Sequence, residues 1–341
     1  MRAAVFHAPG DVRIESVAEP DAPADDEVLI KVSKAAICGT DSAEWAHGPM
    51  LARPPVVLGH EFTGEVVAGD GFVPGTRVVS GAGISCGRCE WCAAGRTNLC
   101  ASYQTLGLQR PGGLAEYVLS PASICRVVPD ELDDVGAAMA QPCAVAMHAA
   151  RRGRVGPGKS CVVLGVGGIG AFVVAAAAAL RAQPLIAVDV TQARLDTAAA
   201  LGATVTVDAS GEDVLTRVLA ETDGQGAQVV IEATGAPASP GTALAMVRRG
   251  GDLVIVGLQA APTAFDLFSV STREIDVHGT LAHVCGEDLA QALALLASTD
   301  LAKTVLGGII ALDDLVDAGL RPLAERTASG KIIVDIANSL I

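Results

Sequence analysis

Early in the chain three side chains carry the chemistry of metal ligands. Cys38 lies in Cys38-Gly39-Thr40-Asp41, and His60-Glu61 follows Leu58-Gly59. A thiolate, an imidazole and a carboxylate are ligand types that Zn²⁺ accepts, and three protein ligands leave one position open for a substrate. Glu61 suits two places: on the metal, or behind it, orienting the site. Thr40 offers a hydroxyl that can accept a proton from an alcohol and pass it on; a turn threonine bonding to backbone is the plainer use of that position. His47 reads first as a surface histidine and second as a pocket residue.

Two more patterns supply the other parts of a reaction. Cys86, Cys89, Cys92 and Cys100 have the spacing C-x₂-C-x₂-C-x₇-C. Each x₂ step lets a loop wrap so that successive sulfurs converge, and four thiolates form a closed tetrahedral zinc site of the structural type. An iron–sulfur cluster is the competing chemistry for four thiolates, but no redox relay partner is evident. Gly165-Val166-Gly167-Gly168-Ile169-Gly170 is a G-x-G-x-x-G that follows the apolar run Ser160-Cys161-Val162-Val163-Leu164. Its glycines let backbone approach a pyrophosphate, and the helix that follows offers free N–H groups. Asp189 ends the next apolar strand, about where an acid meets the adenosine ribose hydroxyls; it would repel a 2′-phosphate, so NAD is preferred over NADP. Arg194 flanks the adenine or faces solvent. A zinc that polarises an alcohol oxygen and a nicotinamide that takes its hydride make a complete reaction.

These residues need rigid carriers. Strands are expected at 3–6, 12–17 and 28–36, so that Cys38 follows a strand end directly, on a loop held by rigid structure. Helices are expected at 132–140 and from Gln141 to about Arg152, with Pro142 favourable at a helix start; the glycine-rich 153–158 turn is the candidate domain junction. Beyond it strands at 161–164, 185–188, 204–207, 228–231, 253–256 and 275–277 alternate with helical stretches, a doubly wound parallel sheet of the α/β class. Thr234 and Gly257 fall just after strand ends, the edge where ligands bind in such sheets. A helix at 286–298, a strand at 306–310, a helix from Leu312 and a strand at 331–336 do not extend the βα rhythm and are expected to return to the first domain.

Composition narrows the classes. With 341 residues, half of them hydrophobic and 18% charged, the chain is long enough for two domains and is not disordered. A net charge of −14 argues against nucleic acid. The uncharged run Cys161 to Leu180 is long enough to suggest a membrane span, but its glycines divide it into strand, turn and apolar helix. The start lacks the long apolar core of a signal peptide, and clustered cysteines read as metal ligands in a reducing compartment, so a cytoplasmic protein is expected. Cys125, Cys143, Cys161 and Cys285 are dispersed and read as small buried hydrophobes.

Together, Cys38-Gly39-Thr40-Asp41, Gly59-His60-Glu61, the four-cysteine lobe, Gly165–Gly170 and Asp189 make the chain resemble the zinc-dependent medium-chain dehydrogenase/reductases from end to end. The resemblance implies a GroES-like, mostly β catalytic domain (1–152 and 285–341, with a structural zinc lobe at about 84–102) and an inserted Rossmann NAD-binding domain (153–284). It implies two zinc ions per chain: a catalytic one on Cys38, His60 and Glu61, and a structural one on Cys86, Cys89, Cys92 and Cys100. The stretch Gln141-Pro142-Cys143-Ala144-Val145-Ala146-Met147-His148-Ala149 is most similar to the polyol, butanediol and threonine dehydrogenase branch, which usually has Glu-Pro-Leu there. Gln141 thus stands where that branch has a glutamate near the metal, and Cys143 would need a local shift to serve as a further ligand. Ala43 stands where a relay histidine is expected, which leaves Thr40 to carry the proton.

The function implied is reversible oxidation of a secondary alcohol (a diol, polyol or cyclic alcohol) to the ketone with NAD, by a homodimer or homotetramer that binds neither nucleic acid nor membrane. A cyclitol, amino-sugar or terpenoid alcohol of a specialised pathway is the alternative substrate. A non-catalytic, zinc-stabilised nucleotide-binding protein is the alternative class; it has no need of Cys38, Thr40, His60 and Glu61 together. The same ligands disfavour a zinc-free quinone or enoyl reductase.

Overall fold

The computed structural model describes residues 1–259 and 261–338. The chain divides into two compact units, residues 1–144 with 283–341, and residues 145–282. The first division falls inside the helix Ala140–Arg152, so the 153–158 turn follows that helix within the second unit.

The first unit is built on the strand Glu27–Ala36. On one side it pairs antiparallel with Glu61–Gly69. On the other side Tyr117–Pro121 covers its first half and Lys331–Asp335 its last residues, both antiparallel. Register decides what meets at the end of this sheet. Ala36 lies opposite Glu61 on one neighbour and opposite Ile333 on the other. Cys38, just past the strand, therefore comes level with the start of Glu61–Gly69 and with Lys331 at the start of the C-terminal strand. Ile30, Val32, Phe62, Val66, Val78 and Ile333 are buried under this sheet; each such side chain contributes about 1.5–3 kcal/mol relative to exposure.

A short helix, Gly39–His47, begins at Cys38, and the four cysteines lie in a loop closed by pairing of Gly83–Ile84 with Gln104–Thr105. The expected helix at 132–140 is shorter, Asp134–Ala137, started by the Asp133 carboxylate accepting from Gly136 N at 2.7 Å. The helix expected from Leu312 is a succession of tight and wide turns (312–320) and the helix Arg321–Ala324. Close packing shapes it: a Cβ on Gly319 would come within 2.4 Å of the Ile37 side chain. The helix at 286–298 likewise opens with a wide turn, Cys285–Leu289, before Ala290–Ser298.

The second unit is a parallel sheet of six strands: Cys161–Leu164, Leu185–Asp189, Val205–Asp208, Ala227–Glu232, Val247–Ile255 and Asp276–Gly279. They lie in the order third, second, first, fourth, fifth, sixth, so the order reverses between the first and fourth strands. Val162, Ile186, Val207, Val230 and Leu253 form its core. The helix Gly170–Ala179 is apolar all round and buried along most of its length, which is what an all-apolar helix does inside a protein. Among the described residues no helix is long and apolar enough to cross a membrane.

Gly59 sets the chain direction just before His60. Its φ is +98°, and a Cβ there would lie 2.6 Å from Leu114 N. Gly59→Ala should destabilise the protein by about 1–3 kcal/mol. Gly71→Ala, at φ +83° but with open space around it, should cost less, so the two melting temperatures measure the clash separately from the backbone strain.

Candidate active site

The ligand atoms of Cys38, His60 and Glu61 lie within 4.8 Å of one another. His60 and Glu61 are buried. Cys38 caps the helix Gly39–His47, and the Asp41 carboxylate closes that cap by accepting from Cys38 N at 2.9 Å. The other Asp41 oxygen faces His60 Nδ1 at 3.4 Å. A carboxylate behind a histidine ligand fixes the ring and leaves Nε2 for the metal. Glu61 forms an ion pair with Lys331, itself buried.

The electrostatics fit a cation. Burial lowers the pKa of His60, but the Asp41 carboxylate and the Cys38 sulfur outweigh it and hold the imidazole well above its usual value. Burial also opposes a charge on Lys331, yet Glu61, Cys38 and Asp41 raise its pKa above the ordinary lysine value. Donor types, convergence and negative surroundings all suit Zn²⁺.

Other sequence-derived candidates fall as follows. Thr40 is half-buried in the first turn of the helix Gly39–His47, and His47 ends that helix exposed to solvent. Gln141 is buried in the first turn of Ala140–Arg152. Cys143 does not join the ligand group: its thiol faces the Ala292 carbonyl at 3.9 Å, and burial pushes its pKa up to about 12. The needed local shift has not occurred, because the helix is continuous there.

The sulfurs of Cys86, Cys89, Cys92 and Cys100 also converge within 4.8 Å. Cys86 N donates to the Cys100 sulfur at 3.2 Å and Ser102 N at 3.4 Å. The backbone N–H groups of Cys92 and Ala101 lower the Cys89 pKa to about 6. Backbone donors thus favour thiolate at Cys89, while burial and the neighbouring thiols push Cys92 up to about 11, so four thiolates in one cluster call for a cation, as in a closed metal site.

On the second unit the four glycines separate into two kinds. Gly165 has φ +92°, and a Cβ there would meet the Thr234 methyl at 2.5 Å. A Cβ on Gly170 would lie 1.9 Å from Gly165 O. The protein itself requires these two, for a tight turn and for helix packing. At Gly167 and Gly168 a Cβ would meet nothing within 4 Å. Open backbone at the start of a helix is what a pyrophosphate needs to approach. Ile169 immediately precedes that helix, half-buried. Asp189 ends its strand with one oxygen accepting from Val166 N at 2.8 Å and the other from Thr191 N at 3.0 Å. Arg194 lies 3.7 Å from it. Thr234 is exposed and Gly257 half-buried, both just past strand ends.

Residues 24–130 match the family described as alcohol dehydrogenase GroES-like domain, and residues 168–298 that described as zinc-binding dehydrogenase. A sorbitol dehydrogenase of Bacillus subtilis is 37% identical over 82% of this chain and 81% of its own. The chain belongs to the zinc-dependent medium-chain dehydrogenase/reductase superfamily. It is accordingly an oxidoreductase acting on CH–OH, with a GroES-like unit and a Rossmann-type parallel sheet. A 2R,3R-butanediol dehydrogenase from Bacillus subtilis superposes with a TM-score of 0.89 at 30% identity, covering 98% of this chain and 99% of that one. A zinc-binding dehydrogenase from Sinorhizobium meliloti 1021, bound to NADP, does so with 0.89 at 31%, covering 98% of each.

Two residues of the metal group lay outside the sequence-derived set. Asp41 had a local signal, the Cys-x-x-Asp pattern of a capping box; Lys331 had none.

Replacing Asp41 by Asn should weaken zinc binding at the Cys38 group about 10- to 100-fold, read by competition with a chromogenic chelator, while the four-cysteine ion stays. In zinc-stripped protein at pH 7, Cys89 should alkylate with iodoacetamide well before Cys143, since a pKa of about 6 leaves it mostly thiolate and one of about 12 leaves Cys143 protonated. Peptide mass mapping reads the order directly.

Proposed function

We propose that this chain is an NAD(H)-dependent zinc dehydrogenase that reversibly oxidises the secondary alcohol of a diol or polyol to the ketone. The convergence of Cys38, His60 and Glu61 on one point carries this reading. The names of the sorbitol and butanediol relatives support the substrate class.

When bound, zinc supplies Lewis acidity to the hydroxyl oxygen and the nicotinamide accepts hydride. The chain's own residues do the rest. Cys38, His60 and Glu61 hold the ion, Asp41 fixes the His60 ring, and Lys331 holds Glu61. Thr40 takes the hydroxyl proton. Gln141 adds a neutral amide that donates and accepts hydrogen bonds without adding charge. Cys86, Cys89, Cys92 and Cys100 hold a second, structural zinc.

Gly167, Gly168 and the helix N-terminus receive the pyrophosphate, and Asp189 receives the adenosine ribose. The Asp189 charge favours NAD over NADP; the Sinorhizobium neighbour carries NADP, so this residue is the one to test. A cytoplasmic location agrees with four clustered cysteines placed as metal ligands. A homo-oligomer agrees with the outer edge of the strand Asp276–Gly279, which no strand covers among the described residues.

A panel of diols, polyols and cyclic alcohols, followed by reduced-nicotinamide absorbance with NAD⁺ and NADP⁺ in parallel, tests the reading. Turnover is expected with a vicinal diol or polyol and NAD⁺; none with any alcohol, at two zinc ions per chain, overturns it. Thr40→Ala should lower kcat about 100-fold, and Thr40→Ser should restore most of it.

A further inference from the structure

Glu232 ends the fourth strand of the parallel sheet, paired in register with Leu164 of the first strand and Ile255 of the fifth. It therefore sits beside the point where strand order reverses. Its side chain is fully buried, and among the described residues no cation pairs with it. Instead one carboxylate oxygen, Oε1, accepts from Thr234 N at 2.7 Å, Thr234 Oγ1 at 2.6 Å and Gly235 N at 3.2 Å, and Ser239 Oγ, 2.7 Å away, shares its one proton between Oε1 and the Ala236 carbonyl at 2.7 Å. Two N–H groups and a hydroxyl aimed at one oxygen suit an ionised carboxylate. The other oxygen, Oε2, is buried without a partner among the described residues. It lies on the Gly257 side, 2.6 Å from where a Cβ on that glycine would be.

A loop staple alone accounts for Oε1 but not for Oε2. A buried carboxylate with an unsatisfied oxygen and no counter-ion is costly, and a neutral side chain could accept the same bonds. The location supplies the missing half of the account. A dinucleotide crosses such a sheet at the reversal point. With Asp189 on the second strand at the ribose end and Gly167 on the first at the pyrophosphate, the nicotinamide half falls over the fourth to sixth strands, next to Thr234 and Gly257. The oxidised nicotinamide ring carries a positive charge and the reduced ring does not.

We propose that Glu232 is a positioning residue for the coenzyme: it fixes Thr234 and Gly235 against Gly165 and Gly257, and its uncompensated charge favours the oxidised nicotinamide over the reduced one. The inference rests on the dinucleotide reading of the glycine loop given above. Donors made of neutral dipoles hold the carboxylate in place without cancelling its net charge, so its field extends to the edge that Thr234 and Gly257 form.

The test compares dissociation constants for NAD⁺ and NADH, by titration calorimetry on the zinc-loaded full chain, in wild type and Glu232→Gln. The proposal expects Glu232→Gln to weaken NAD⁺ by about five- to tenfold and NADH by less than about twofold, with KM for NAD⁺ raised and KM for the alcohol unchanged. Equal loss for both coenzymes makes Glu232 a structural staple only and overturns the proposal, as does no change in either. Should Glu232→Gln fail to fold, Ser239→Ala removes the hydroxyl that Oε1 shares with the Ala236 carbonyl and leaves the carboxylate less screened. The preference should then shift about twofold toward NAD⁺, and an unchanged ratio overturns the proposal. Wild-type protein that binds neither coenzyme defeats the dinucleotide reading itself, a distinct result.

Discussion

Three side chains with acidic chemistry, Asp41 and Glu61 buried and Cys38 half-buried, set the terms for the first unit around one point. With Cys38 as thiolate and Asp41 and Glu61 as carboxylates the group carries three negative charges, and Lys331 returns one positive. Uncompensated buried charge costs several kcal/mol per ion, so the arrangement calls for two further positive charges. A divalent ion closes that balance in a way a monovalent one does not. The raised pKa of His60 expresses the same demand through a proton. A divalent cation held here, as proposed, would close the charge balance as well as aid the chemistry.

That group exists because strand register brings distant segments to one sheet end. The strand Glu27–Ala36 fixes both neighbours, one delivering His60 and Glu61, the other Lys331. The helix that starts at Cys38 needs a cap, and Asp41 provides it with one oxygen while turning the other to His60. One carboxylate thereby couples local helix formation to ligand orientation. The second unit works differently. Its glycines at 165 and 170 answer to the protein's own packing, whereas those at 167 and 168 answer to nothing present in the chain. A residue type kept small where no protein atom demands it points outward, to a ligand.

How much of this was legible depended on distance along the chain. The four-cysteine lobe was, because its ligands fall within one loop that a short pair of strands closes. The glycine loop was, because strand, turn and helix are contiguous. Asp41 stood in the open but reads equally as a helix cap. Lys331 looked like the polar start of an ordinary strand, Lys331-Ile332-Ile333-Val334; only its pairing with Glu27–Ala36 aims it at Glu61. The tail after Leu312 has helical composition, yet close approach of Gly319 to Ile37 makes it a chain of irregular turns. Glu232 falls one residue past the strand expected at 228–231 and carries no further mark, since the surroundings of a carboxylate oxygen have no sequence signature.

Glu61 and Glu232 are both fully enclosed carboxylates at the end of a strand, and the chain treats them in opposite ways. Glu61 meets a lysine and the metal group, so little of its charge acts beyond its neighbours. Glu232 meets only N–H and O–H dipoles, which stabilise it locally but leave its net charge in place. A protein that needed merely to anchor a loop could have used an amide at either position. A carboxylate is required where the charge itself acts. At Glu61 it acts on Lys331 and on the cation proposed for the Cys38 group. At Glu232 no such cation is built into the second unit among the described residues, so the charge is left for one that comes and goes. The oxidised coenzyme is the partner in this reaction whose ring gains and loses a positive charge with each turnover.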